Sequence, residues 1–123
     1  RRADYPGLKQ WAARIEDMRV LAGHVGVRRY VAAGHSYGAL VALTLGGATP
    51  APPPGIEGPL ADPRVAAVVA LSPPGPIPGF VDPGTYSSVA VPALIQTGTR
   101  DIPFSPGRPS NPEDWRGHLL AYE

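Results

Sequence analysis

Six serines occur in this chain, and only Ser36 sits with a glycine two residues away on each side, in the run Gly34-His35-Ser36-Tyr37-Gly38. A serine that transfers acyl groups must hold its hydroxyl clear of the backbone while amide N–H groups face the developing oxyanion. A sharp turn with small flanking residues allows both, with the N–H of Tyr37 as the nearest donor. The pattern alone is weak evidence. With 15 glycines and six serines in 123 residues, chance supplies roughly 0.09 such matches. A glycine-rich turn of the nucleotide-binding kind is the rival, but it requires G-x-G-x-x-G or a lysine-bearing glycine loop, and GHSYGALVA contains neither.

The second candidate is Asp101, which closes Gly98-Thr99-Arg100-Asp101 directly after the apolar run PALIQT. A carboxylate on a loop at a strand's carboxyl end can orient a histidine and stabilise its imidazolium. A solvated turn aspartate is the plain alternative, and the order serine then aspartate favours the catalytic role. Asp82 and Asp114 compete less well, because neither directly follows an apolar strand, and Asp114 suits the first turn of the last helix. Of the three histidines, His35 adjoins Ser36 and points away from its face, which fits packing or hydrogen bonding. His24 lies in a helix-ending segment. His118 keeps the order serine, aspartate, histidine but falls mid-helix in WRGHLLAYE.

These groups need elements to position them. Leu8, Trp11, Ala12, Ile15, Met18, Ala22 and Val25 recur at three- and four-residue steps, which predicts an amphipathic helix ended by Gly23 and Gly26. A short strand is expected over Arg28–Ala33, immediately before the serine motif. Ala39–Leu45 is apolar on nearly every side and stops at Gly46-Gly47, as a buried helix would. The run PAPPPGIEGPLADP, residues 50–63, reads as an extended surface connection. Val65–Leu71 (VAAVVAL) does not alternate and predicts a strand covered on both faces, and Ala93–Thr97 predicts another strand. A last helix begins near Asn111 and Pro112, with Asn111 as its cap. The order helix, strand, helix, strand, strand, helix predicts an α/β class with a mainly parallel sheet flanked by helices, in a single domain. Pro73–Tyr86 leaves the sheet on the edge that carries Ser36, so Ile77, Phe80 and Tyr86 are candidates for an apolar acyl or alcohol pocket, or else simply cap the sheet's end.

Composition narrows the partners. Eleven basic and ten acidic residues are scattered and leave a net charge of +1, which gives no nucleic-acid footprint. The longest wholly apolar run, Val65–Leu71, is far short of a membrane span. Without cysteine there is no disulfide, thiolate metal site or cysteine nucleophile, and isolated histidines with scattered acids give no metal site.

The stretches GHSYGALVAL, DPRVAAVVALSPPG and VPALIQTGTRDIPF together resemble the second half of an α/β-hydrolase, most closely the dienelactone-hydrolase and platelet-activating-factor-acetylhydrolase-like branch. The resemblance runs from about Asp4 to the end. It implies that Ser36 is the elbow nucleophile, that Ser72-Pro73 is the turn ending the next strand, and that Gly98-Thr99-Asp101 carries the triad acid. It also implies that the first four strands, with the second oxyanion donor, precede Arg1, and that the last strand and the catalytic histidine follow Glu123. The expected activity is hydrolysis of small-molecule carboxylic esters without a cofactor, through an acyl-enzyme on Ser36. A serine peptidase of the prolyl-oligopeptidase type and a non-catalytic binding domain of the same fold are the alternatives; the joint presence of Ser36 and Asp101 weighs against the latter.

Overall fold

The computed structural model describes residues 6–102, 109 and 111–122. Helix α1, Pro6–Val25, buries Trp11, Ile15 and Ala22 and half-buries Ala12 and Met18. The side chain of Leu8 lies outside the described residues. Val25 is exposed like Val20 and Leu21, so the apolar seam ends a turn earlier than the spacing predicts. Strand β1, Tyr30–His35, leads through Ser36 into helix α2, Tyr37–Leu45, and is followed by β2, Val65–Leu71, and β3, Ala93–Gln96. The strands lie in the order β1-β2-β3 and both pairings are parallel.

Strand β1 starts at Tyr30, two residues later than the Arg28 expected, and runs on through Gly34 and His35. Its limits are set by pairing, since Tyr30 opposes Val65 and His35 opposes Leu71 at the two ends of β2. A one-residue slip between Tyr30 and Val31 leaves Ala66 as an extra residue on β2. This slip explains why Val65 is buried on the same side as Val68 and Ala70 despite the odd step between them.

Helix α2 covers that side of β1 and β2 with Ala39–Leu45 wholly buried, and α1 packs beside α2. Trp11 meets Phe80 edge to face, the ring centroids 5.2 Å apart and the planes at 81°. The opposite face of the sheet departs from expectation. VAAVVAL predicts cover on both sides, yet among the described residues Val31, Leu71 and Leu94, which the register puts on this one face, remain exposed.

The amino ends of the strands are tied by a polar corner. Arg64 donates from Nε to Asp62 Oδ1 at 3.0 Å and from Nη2 to Oδ2 at 2.8 Å, while the Tyr30 hydroxyl donates to Oδ2 at 3.0 Å. Arg64 Nη2 also reaches the Arg19 carbonyl, and Arg19 donates to the carbonyls of Pro59 and Ala61, so α1 and the proline-rich connection join the same network. The Arg64 guanidinium holds the Asp62 carboxyl down at about 2, against burial, which opposes it. Burial first, and the bond to Asp62 second, push the Tyr30 phenol up to about 12. Because the Asp62 value is depressed on folding, its contribution is fully present above the unfolded value of 3.8 and is lost as pH falls through about 2. With the Arg64 side chain 28% exposed, the expected loss is discounted to on the order of 1–2 kcal/mol. Thermal unfolding followed from pH 6 to pH 2 is expected to show this acid destabilisation in the parent protein and a flatter profile in Asp62→Asn.

Candidate active site

The ladder hydrogen bonds continue one step past the last paired residues. Ser36 N–H donates to Leu71 O at 2.8 Å and Ser72 N–H donates to Gln96 O at 2.7 Å. Just beyond the triplet His35, Leu71 and Gln96, three hydroxyl residues therefore stand in a row across the carboxyl ends of the strands: Ser36, Ser72 and Thr97.

Ser36 has φ 52° and ψ −119°, a backbone conformation natural to glycine and strained for a side chain. It occupies the position before α2 where a serine normally caps the helix, yet its side chain makes no capping hydrogen bond. Ser36 is exposed and the Tyr37 N–H stands at the positive end of the helix, the electrostatics an oxyanion requires. Gly34 makes this turn possible, since a Cβ there would collide with the Gly38 carbonyl and come within 2.7 Å of Ala39 N. Gly38 is different. A Cβ on it would meet nothing within 4 Å, so of the two flanking glycines only Gly34 is required by close strand–helix packing.

Asp101 lies in a turn closed by its own N–H to Gly98 O at 2.9 Å. Its Oδ2 accepts a hydrogen bond from the Ser72 hydroxyl, with Thr97 Oγ1 3.5 Å away, and its side chain is one-third exposed. The other acids are occupied elsewhere. Asp82 is exposed in a turn, and Asp114 opens a 3-10 helix, Asp114–Tyr122, where its Oδ2 accepts the Asn111 N–H at 3.0 Å. Asn111 lies three residues ahead of this helix, its Oδ1 accepting from Glu113 N–H at 3.0 Å, and the helix is wound as 3-10 rather than α.

The histidines are dispersed. His24 is exposed in the last turn of α1 and His35 is exposed at the end of β1. His118 is buried beside Asp101, with Nδ1 2.6 Å from Pro73 O, Nε2 3.1 Å from Asp101 O, and Nε2 3.9 Å from Asp101 Oδ1. Carbonyl oxygens only accept, so His118 donates an N–H to one of them according to its tautomer, and both ring nitrogens are directed at backbone carbonyls. Sequence reasoning missed this placement, which joins residues 45 apart.

A family model described as the alpha/beta hydrolase family matches residues 2–122. The chain belongs to the alpha/beta hydrolase family. No curated protein and no solved structure matches it closely enough to count as a relative. Membership accords with the parallel sheet and its flanking helices, and supports a hydrolase in general terms. No helix among the described residues of this alpha/beta hydrolase is long and apolar enough to cross a membrane.

The expected pocket residues need correction. Phe80 and Tyr86 are buried in the core, Phe80 against Trp11 and Tyr86 with its hydroxyl donating to Pro74 O at 2.8 Å; burial raises that phenol's pKa. Ile77 is half-buried and bridges to Val81. A cavity of about 340 Å³ lies instead between α1, α2 and β1, lined by Arg14, Met18, Ala33, Gly38 and Val41 among others, and by none of those three. The burial of Phe80 and Tyr86 fits the alternative of closing the sheet's end, since large apolar residues on a loop after a strand close a small core as readily as they line a cleft.

Proposed function

We propose that this alpha/beta hydrolase is a serine esterase of the dienelactone-hydrolase and platelet-activating-factor-acetylhydrolase-like kind, with Ser36 as nucleophile and Asp101 as triad acid. The observation that carries the reading is the strained, non-capping Ser36, with φ 52° and ψ −119°, on a turn that Gly34 alone permits. A folding chain gains nothing from that conformation; an exposed serine at a helix N-terminus is what it provides. Ser36 Oγ attacks the ester carbonyl carbon as its proton passes to a histidine. The Tyr37 N–H stabilises the oxyanion, and the leaving alcohol takes the proton back. Water then cleaves the acyl-enzyme by the reverse proton path. In the complete protein, a fluorophosphonate probe is expected to label Ser36 and no other serine, with activated esters cleaved in preference to peptides. Labelling that survives Ser36→Ala would sink the reading, and preferential peptide cleavage would move it to the peptidase alternative.

The general base belongs, on this proposal, to a segment outside residues 1–123, because none of the three histidines is disposed to take the Ser36 proton. His24 is at the end of α1, His35 precedes Ser36 on the strand, and both nitrogens of His118 face carbonyl oxygens. Residues 1–123 expressed alone are expected to show negligible ester turnover. Robust turnover abolished by His118→Ala would transfer the role of base to His118.

A further inference from the structure

Among the described residues, only two that are not glycine have a positive φ, and they stand side by side at the ends of neighbouring strands: Ser36 at 52° and Ser72 at 49°. The first is accounted for by the nucleophile. Ser72 is buried, and its hydroxyl donates to Oδ2 of Asp101, 29 residues away. We propose that Ser72 is a positioning residue for the triad acid, a reading that rests on Asp101 being that acid. A carboxylate on a short turn is free to rotate about its last bond, and a donor fixed to one oxygen removes that freedom. With Oδ2 taken, Oδ1 is the oxygen left for the imidazole of the base; no donor among the described residues comes within hydrogen-bond distance of it, His118 Nε2 being 3.9 Å away.

The frame around Ser72 is held from several sides, so the direction of its hydroxyl is well defined. Ser72 N–H is tied to Gln96 O, Pro74 O accepts from Tyr86, and His118 Nδ1 lies 2.6 Å from Pro73 O. A Cβ on Gly75 would come within 2.9 Å of Gly117 Cα, so the 3-10 helix lies directly on the loop that carries Ser72. His118 spans the two loops, contacting Pro73 O and Asp101 O with its two nitrogens.

Two substitutions separate the hydroxyl from the backbone. Ser72→Gly suits a φ of 49° better than serine does but removes the donor. Ser72→Thr keeps the donor but places a β-branched residue where positive φ is disfavoured. In the complete protein, Ser72→Gly is expected to fold at least as stably as the parent, with kcat lowered about tenfold and KM unchanged. Ser72→Thr is expected to melt lower yet keep a kcat near the parent's. Parent kcat in Ser72→Gly overturns the proposal, and so does equal impairment in both variants, since the backbone rather than the hydroxyl would then govern the rate. The same assay on Asp101→Asn separates the two levels. Hydrolysis indifferent to Asp101→Asn removes the triad reading itself, whereas hydrolysis that needs Asp101 but ignores Ser72→Gly removes only the role of Ser72.

Discussion

Ser36→Ala is expected to lower kcat for an activated ester by on the order of 10⁶ while leaving the fold intact. Alanine keeps the Cβ, and therefore the strain of φ 52° and ψ −119°, and removes only a hydroxyl that makes no capping bond. Ser36→Gly is expected to be equally inactive but to unfold about 1 kcal/mol later than Ser36→Ala, because glycine adopts this conformation without a steric penalty. Steady-state kinetics gives the first number and chemical denaturation the second. Substantial turnover in Ser36→Ala would move the nucleophile elsewhere; a glycine variant no more stable than the alanine one would show that the turn is unstrained.

Asp101→Asn is expected to lower kcat by on the order of 10⁴ with KM little changed, since an amide neither compensates the imidazolium charge nor selects the correct tautomer of the base. The loss should be smaller than that at Ser36, because the oxyanion donor and substrate binding survive. Asp114→Asn is the control. Its carboxylate caps the Asn111 N–H at the start of the 3-10 helix, so its loss touches stability and not rate. A damaging Asp114→Asn beside a harmless Asp101→Asn would show that the acid had been assigned to the wrong loop.

Local chemistry was readable in advance wherever one segment carried its own signal. Val65–Leu71 is legible as a strand from its non-alternating apolar run, and the structure has it at the same limits. The strand, sharp turn and buried helix around Ser36 followed from Gly34 and from Ala39–Leu45, apolar but for Thr44. What escaped was set between distant segments. The Ser72–Asp101 bond joins residues 29 apart and the His118–Pro73 contact residues 45 apart, and no spacing rule links them. The burial of Phe80 depends on Trp11 from the far end of the chain, so a loop aromatic looked like pocket lining. The 3-10 winding of Asp114–Tyr122 likewise escaped the apolar pattern of that segment.

The row of hydroxyls across the strand ends also acts as a ruler. Neighbouring strands lie about 4.8 Å apart, which puts the end of β3 roughly 10 Å from the end of β1. An imidazole with a hydrogen bond at each end reaches roughly 8 Å. An acid held directly over its own strand would thus strain the reach of any single histidine bridging to Ser36. By leaning onto Ser72 of the middle strand, Asp101 comes back by about one strand spacing. On the proposed triad the intervening strand would supply the missing length, so that three strands serve a reaction that needs only two loops.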